Sequence, residues 1–168
     1  IILADQDVDG THIKGLLINF IHHFWPSLLE IPGFLLQFIT PIVKCSKGRQ
    51  EEVFYTVPQY QEWRESFDLE SNPNVLKSWH IKYYKGLGTS TAAEAKEYFS
   101  DLDTHKIAFA WDGAVANDVI DMAFAKKRVD DRKNWLLSME PGTFVDYAQG
   151  DMSYSNFINR ELILFSHA

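Results

Sequence analysis

At 168 residues the chain suits one domain, or one domain with part of another. An apolar share of 46% with 14% aromatics supplies a core and excludes a disordered segment. The net charge of −7 leaves any nucleic-acid surface to local basic clusters, the single Cys45 excludes a disulfide framework or cysteine-rich zinc site and suits a reducing compartment, and no run reaches membrane-spanning length.

Residues 1–4 form a short apolar run that reads as a buried strand, most naturally a parallel one, and a chain that opens on a core strand without Met reads as a piece of a longer protein. The run ends in Asp5-Gln6-Asp7-Val8-Asp9-Gly10, three acids on alternate residues. Along extended backbone alternate side chains share a direction, so Asp5 and Asp7 converge. Converging carboxylates repel unless a hard cation such as Mg²⁺ sits between them. A helix over residues 11–25 presents its N-terminus to the same spot, where free N–H groups suit an anion such as phosphate. Ile13, Leu16, Leu17, Phe20, Ile21 and Phe24 give that helix an apolar stripe expected to pack on the sheet, with His12 beside the acids. His22 and His23 have no acid or thiol spaced to join them as ligands.

Residues 34–47 read as one strand, with Pro41 marking an edge or bulge. A turn at Lys47-Gly48-Arg49 and a strand over residues 52–56 complete a hairpin. Pro58 opens a short helix with Tyr60, Trp63 and Phe67. A polar loop over residues 68–73 precedes a strand over 75–84, which ends in Tyr83-Tyr84-Lys85-Gly86-Leu87-Gly88-Thr89. The glycines let backbone approach a ligand, Lys85 adds a cation, and Thr91 with Glu94 forms a capping box that aims another helix N-terminus at the loop. Phosphate or DNA backbone is the functional reading; a plain turn is the bland one.

Residues 105–111 give a further strand, and Asn117-Asp118 is expected to cap the next helix. Lys126-Lys127-Arg128-Val129-Asp130-Asp131-Arg132-Lys133 sets five bases against two acids. On a helical wheel Arg132 falls inside the apolar arc of Val129, Trp135, Leu136 and Met139, with Lys133 at its edge. A charge on a packing face needs a partner, either an internal carboxylate such as Asp130 or Asp131 or a DNA phosphate. Residues 153–165 read as a last helix whose stripe is Phe157, Ile158, Leu162 and Ile163.

The acidic turn admits three families. D-x-D-x-D-G opens an EF-hand calcium loop, but its twelfth position, a bidentate Glu there, is Leu16 here. Asp7-Val8-Asp9-Gly10-Thr11 resembles the nucleophile motif of haloacid-dehalogenase-like phosphatases, with Asp7 attacking phosphorus and Asp9 as acid/base. That reading needs a late strand ending in an acidic pair, and the only Asp-Asp pair, Asp130-Asp131, lies in a basic run. Residues 5–13 match without a gap the Toprim motif D-x-D-x-D-G-[ST]-H-I of type IIA DNA topoisomerases.

The likeness to eukaryotic DNA topoisomerase II extends through residues 39–44, 83–90, 94–99, 123–127, 131–133 and 156–166. It implies an α/β fold, a Rossmann-like Toprim domain with a parallel sheet flanked by helices over residues 1–112, followed by a helical segment over 113–168 leading into the DNA gate. It implies Asp5 and Asp7 as Mg²⁺ ligands of a two-metal site and Asp9 as the third, supporting acid. Lys85, Gly86 and Gly88 match the loop near DNA, and Arg132 and Lys133 a basic pair on it. The resemblance further implies double-stranded DNA as partner, ATP bound by another domain, a nuclear homodimer and no membrane. A glutamate on an earlier strand and a tyrosine nucleophile on a later domain complete that family's site and are not expected within these residues.

Overall fold

Ile2 is where the chain joins its first sheet. Its N–H donates to the Leu36 carbonyl at 2.8 Å and its carbonyl accepts from Phe38 N–H at 3.0 Å, a single parallel bridge opposite Gln37. The computed structural model describes residues 1–68, 72–84 and 86–168, without the side chain of Gln149. In chain order its elements include α1 (Val8–Phe24), α2 (Pro26–Leu29), β1 (Leu36–Phe38), β2 (Val43–Lys47), β3 (Gln50–Phe54), α3 (Val57–Glu65) and β4 (His80–Tyr83). There follow α4 (Ala92–Ser100), α5 (Leu102–His105), β5 (Lys106–Ala110), α6 (Ala114–Phe124), α7 (Val129–Leu137) and β6 (Asp151–Ser153). The chain closes with α8 (Tyr154–Asn156), a π-helical stretch (Phe157–Leu162) and α9 (Ile163–His167).

The architecture is α/β, as expected, but in place of the expected parallel sheet the described residues form two small sheets, one mixed and one antiparallel. The first has the order β1-β5-β6; β1 runs antiparallel to β5 and β5 parallel to β6. The second is antiparallel, β3-β2-β4. The single strand expected over residues 34–47 is therefore two strands in different sheets. Pro41, fully buried between them, cannot donate to a ladder, and the chain changes sheets there. The hairpin of β2 and β3 turns at Gly48, whose φ of +61 is left-handed. The strand expected over residues 75–84 is shorter, because Val75–Ser78 forms a 3-10 turn before β4.

One core gathers Ile2, Ile18, Ile39, Phe109, Ile120, Met152, Tyr154 and Phe157 from residues on both sides of position 112. A second, smaller core of Val43, Cys45, Phe54 and Tyr60 lies under the second sheet. The apolar stripe of α1 does not bury as expected. Its buried residues are Gly10, Lys14, Gly15 and Ile18, whereas Ile13, Leu16, Leu17, Phe20 and Phe24 are 41–57% exposed. The helix turns its small residues inward because the C-terminal helical segment lies too close for larger ones. A Cβ on Gly15 would come within 3.0 Å of Leu162 and 3.2 Å of Phe124.

Two helix starts also differ from expectation. α1 begins at Val8, so Asp9 sits in its first turn. α6 begins at Ala114 after Gly113, placing Asn117 and Asp118 inside the helix instead of at its cap. The last helix keeps the expected buried stripe, but through a π-helical stretch.

Candidate functional site

The acid turn is held by its own backbone. Asp7 is extended (φ −131, ψ 179) and caps α1, its Oδ1 accepting from Gly10 N–H at 2.7 Å. Thr11 donates both its N–H and its hydroxyl to the Asp7 carbonyl, at 3.0 and 3.1 Å. Gly10 is required by close approach: a Cβ there would lie 1.9 Å from the Asp5 carbonyl oxygen. The turn into α1 is thus too tight for any side chain at that position.

The glycine loop meets this turn directly. Leu87 N–H donates to Asp5 Oδ1 at 2.8 Å, and a Cβ on Gly86 would fall 2.5–2.6 Å from the Asp5 carboxylate. Two motifs far apart in sequence therefore share one carboxylate. Thr89 closes the loop with a bond to the Gly86 carbonyl at 2.7 Å, and Gly88 faces open space. Lys85 lies outside the described residues.

The far end of the loop is anchored by the expected capping box. Glu94 N–H donates to Thr91 Oγ1 and Thr91 N–H to Glu94 Oε2. Glu94 Oε1 also accepts from Lys82 Nζ at 2.7 Å and Tyr84 hydroxyl at 2.6 Å. Burial pushes the Glu94 carboxyl up, but these hydrogen bonds outweigh it and bring its pKa down to about 2.

Asp5, Asp7 and Asp9 are all exposed, and among the described residues no group of three His, Cys, Asp or Glu side chains gathers as a metal site. Asp5 and Asp7 lie at the turn before α1, and Asp9 in the helix's first turn. The pair fits Mg²⁺ chemically. Asp5 and Asp7 each commit Oδ1 to a backbone N–H and keep a second anionic oxygen, and Mg²⁺ takes one or two carboxylates while retaining waters.

Sequence reasoning missed what lies beneath the turn. Gln6 Nε2 donates to the Tyr147 hydroxyl at 3.0 Å, and that hydroxyl donates to Glu161 Oε1. Lys14, 1% exposed, lies on the buried face of α1, where burial lowers its pKa against the raising influence of Glu161 and Asp7. The available signal was a lysine on the line Gly10, Lys14, Ile18 of an otherwise apolar helix.

The basic run is largely committed internally. Arg128 pairs with Asp118 and Asp131, both at 2.8 Å, and with Asp121 at 3.5 Å. Arg132 Nη1 donates to the Met122 carbonyl at 2.9 Å and the Ala125 carbonyl at 2.5 Å. Among the described residues its partner is thus the C-terminal end of α6 and not a carboxylate. Orphan carbonyls and the negative end of the helix dipole suit a guanidinium there. Lys133 is exposed and reaches Asp130 at 3.5 Å. Asp130 and Asp131 open α7 instead of ending a strand, which removes the geometry a phosphatase reading requires.

Comparison with known proteins gives the same direction. The chain is 56% identical over 165 residues to DNA topoisomerase 2 of Plasmodium falciparum, covering 98% of the chain and 11% of that protein. It is 56% identical over 169 residues to DNA topoisomerase 2 of Arabidopsis thaliana, covering 99% and 11%. The crystal structure of the Plasmodium falciparum topoisomerase II DNA-binding, cleavage and re-ligation domain superposes with a TM-score of 0.88 at 55% identity, over 98% of this chain and 22% of that one. The chain spans about a tenth of the length of these curated relatives. The family described as the C-terminal associated domain of TOPRIM matches residues 38–168, and the chain belongs to that family.

Proposed function

We propose that the chain is the acid-bearing segment of an ATP-dependent type IIA DNA topoisomerase, with residues 1–112 as its Toprim part and residues 113–168 running toward the DNA gate. The observation that carries this reading is the junction of Asp5 with the loop at Gly86 and Leu87. It sets carboxylates and a backbone-exposing glycine loop side by side, as a metal-and-phosphate site needs.

Asp5 and Asp7 would hold Mg²⁺ through the oxygens they do not spend on backbone N–H groups, with Asp9 supporting from the first turn of α1. Bound there, Mg²⁺ would stabilise negative charge on the scissile phosphate and the leaving oxygen. Leu87 N–H fixes the orientation of Asp5, and Gly10 N–H that of Asp7. Lys85, Gly86, Gly88 and Lys133 are assigned to the DNA backbone. The exposed Lys133–Asp130 pair is weak and can yield to a phosphate. Arg132, matched to the same set, is read as an internal partner of α6, to whose carbonyls its Nη1 donates. The attacking tyrosine, a further glutamate and the ATP site belong to other parts of a homodimeric nuclear enzyme acting on double-stranded DNA. Among the described residues no helix is long and apolar enough to cross a membrane.

Asp7→Asn tests the assignment cleanly, because Asn caps a helix as well as Asp does. In the polypeptide that carries this segment, the variant should suppress DNA cleavage while DNA-independent ATP hydrolysis persists. Normal cleavage by Asp7→Asn at low Mg²⁺ would remove Asp7 from the site.

A further inference from the structure

The acid turn has an underside. Asp5 and Asp7 are exposed, while Gln6 between them turns its amide inward, as alternation along extended backbone requires. Its Nε2 meets the Tyr147 hydroxyl at 3.0 Å. That hydroxyl, having accepted from Gln6, donates onward to Glu161 Oε1. Glu161 lies in the π-helical stretch Phe157–Leu162, whose extra residue per turn re-aims side chains relative to a regular helix.

Lys14 on α1 faces the same segment. An added Cβ on Gly15 would lie 3.0 Å from the Leu162 side chain, so α1 and the C-terminal segment approach closely there. Lys14 precedes the one and Glu161 the other, which sets both on the two facing segments. Burial lowers the Lys14 pKa, while Glu161 and then Asp7 raise it. The net direction for Lys14 is down, so the two acids offset only part of the burial of a lysine that is 1% exposed.

Hydrogen bonds run from Gln6 in the acid turn through Tyr147 to Glu161, and Lys14 lies on the buried face of the helix that Asp7 caps. The acid turn and the start of α1 are thus backed by the C-terminal helical segment. From this arrangement we infer that Gln6, Tyr147, Glu161 and Lys14 are positioning residues that hold the Asp5–Asp7 turn in its cation-binding shape. The inference rests on the proposed metal role of Asp7. It adds that the turn is set from beneath by the C-terminal helical segment and not by its own cap alone.

A long-range charge effect predicts the opposite sign. Removing the Lys14 ammonium would, by Coulomb attraction alone, tighten binding of a divalent cation nearby. Positioning predicts weakening, since partners behind metal ligands are worth about 10–100-fold in metal affinity.

The test uses the polypeptide that carries this segment, without nucleotide, and reads Mn²⁺ binding by electron paramagnetic resonance. Asp7→Asn identifies the site of interest. Tyr147→Phe removes one hydroxyl and leaves the ring, and Lys14→Met removes the charge and keeps the stem. Both should weaken the Asp7-dependent Mn²⁺ site by about tenfold. The Mg²⁺ concentration for half-maximal DNA cleavage should rise in parallel, with metal-free DNA binding unchanged. Lys14→Arg should recover most of the affinity. If Lys14→Met does not fold, Tyr147→Phe decides alone. Lower melting temperatures with unchanged Mn²⁺ affinity, or tighter binding in Lys14→Met, would overturn the inference while leaving Asp7 as a ligand. Mn²⁺ binding that Asp7→Asn leaves untouched would overturn the metal reading and this inference together.

Discussion

Replacing Arg132 with Met keeps the aliphatic stem against its neighbours and removes only the guanidinium. Two bonds are lost, to the Met122 carbonyl at 2.9 Å and the Ala125 carbonyl at 2.5 Å. Hydrogen bonds to a charged group contribute about 1.5–3 kcal/mol each, with the interaction with the α6 dipole already inside that figure. The site is only half-buried, so water recovers part of the loss, leaving about 2–3 kcal/mol. For a chain of this size each kcal/mol moves the melting temperature by about 2–4 °C. Arg132→Met should therefore melt roughly 5–10 °C lower by circular dichroism. DNA binding followed against salt should keep its slope. If the melting temperature holds and the slope of log K against log salt falls by about one, the guanidinium spends itself on a phosphate and the reasoning from α6 is refuted.

Gly86→Ala puts a methyl group 2.5–2.6 Å from the Asp5 carboxylate, so either the loop or the acid must move. The Leu87–Asp5 bond should break, with a loss of about 1–2 kcal/mol in a denaturant melt and a sharp fall in DNA cleavage; an unaffected variant would show that the junction is dispensable. Glu94 carries an acid-side signature. Its folded pKa of about 2 lies below its usual 4.5, so its stabilisation is fully present above about pH 4.5 and is lost as pH falls toward 2. Allowing for solvent screening, the wild type should lose about 1–2 kcal/mol across that window that Glu94→Gln does not, and parallel stability curves would contradict this.

Local signals in the sequence were strong wherever the structure is local. The Thr91–Glu94 capping box, the Gly48 hairpin and the buried stripe of the last helix all follow from spacing alone. The acid turn was legible as an apolar run meeting a helix, although the strand expected over residues 1–4 is only a single bridge at Ile2. What the sequence hid were choices made by long-range packing. The stripe from Ile13 to Phe24 outranks the line Gly10, Lys14, Gly15, Ile18 in hydrophobicity, yet the second line is buried, with Gly15 where Leu162 and Phe124 come close. Arg132 was readable as a charge on a packing face, but its partner is main-chain carbonyl, which carries no residue-specific signal. Tyr147 and Glu161 lie 14 residues apart and more than 130 from Lys14 and Gln6, beyond the reach of any periodicity.

The bond from Leu87 to Asp5 closes across 82 positions of chain. Such a contact forms late, after the entropy of a long loop has been spent, and no helix-turn peptide around Asp7 can reproduce it. The site is therefore a property of the finished fold and not of its motif. In folding kinetics the loop should dock onto Asp5 only once both sheets are in place. Local opening that frees the loop would release the carboxylate before the helix behind it unravels, making the acid turn an early reporter of partial unfolding.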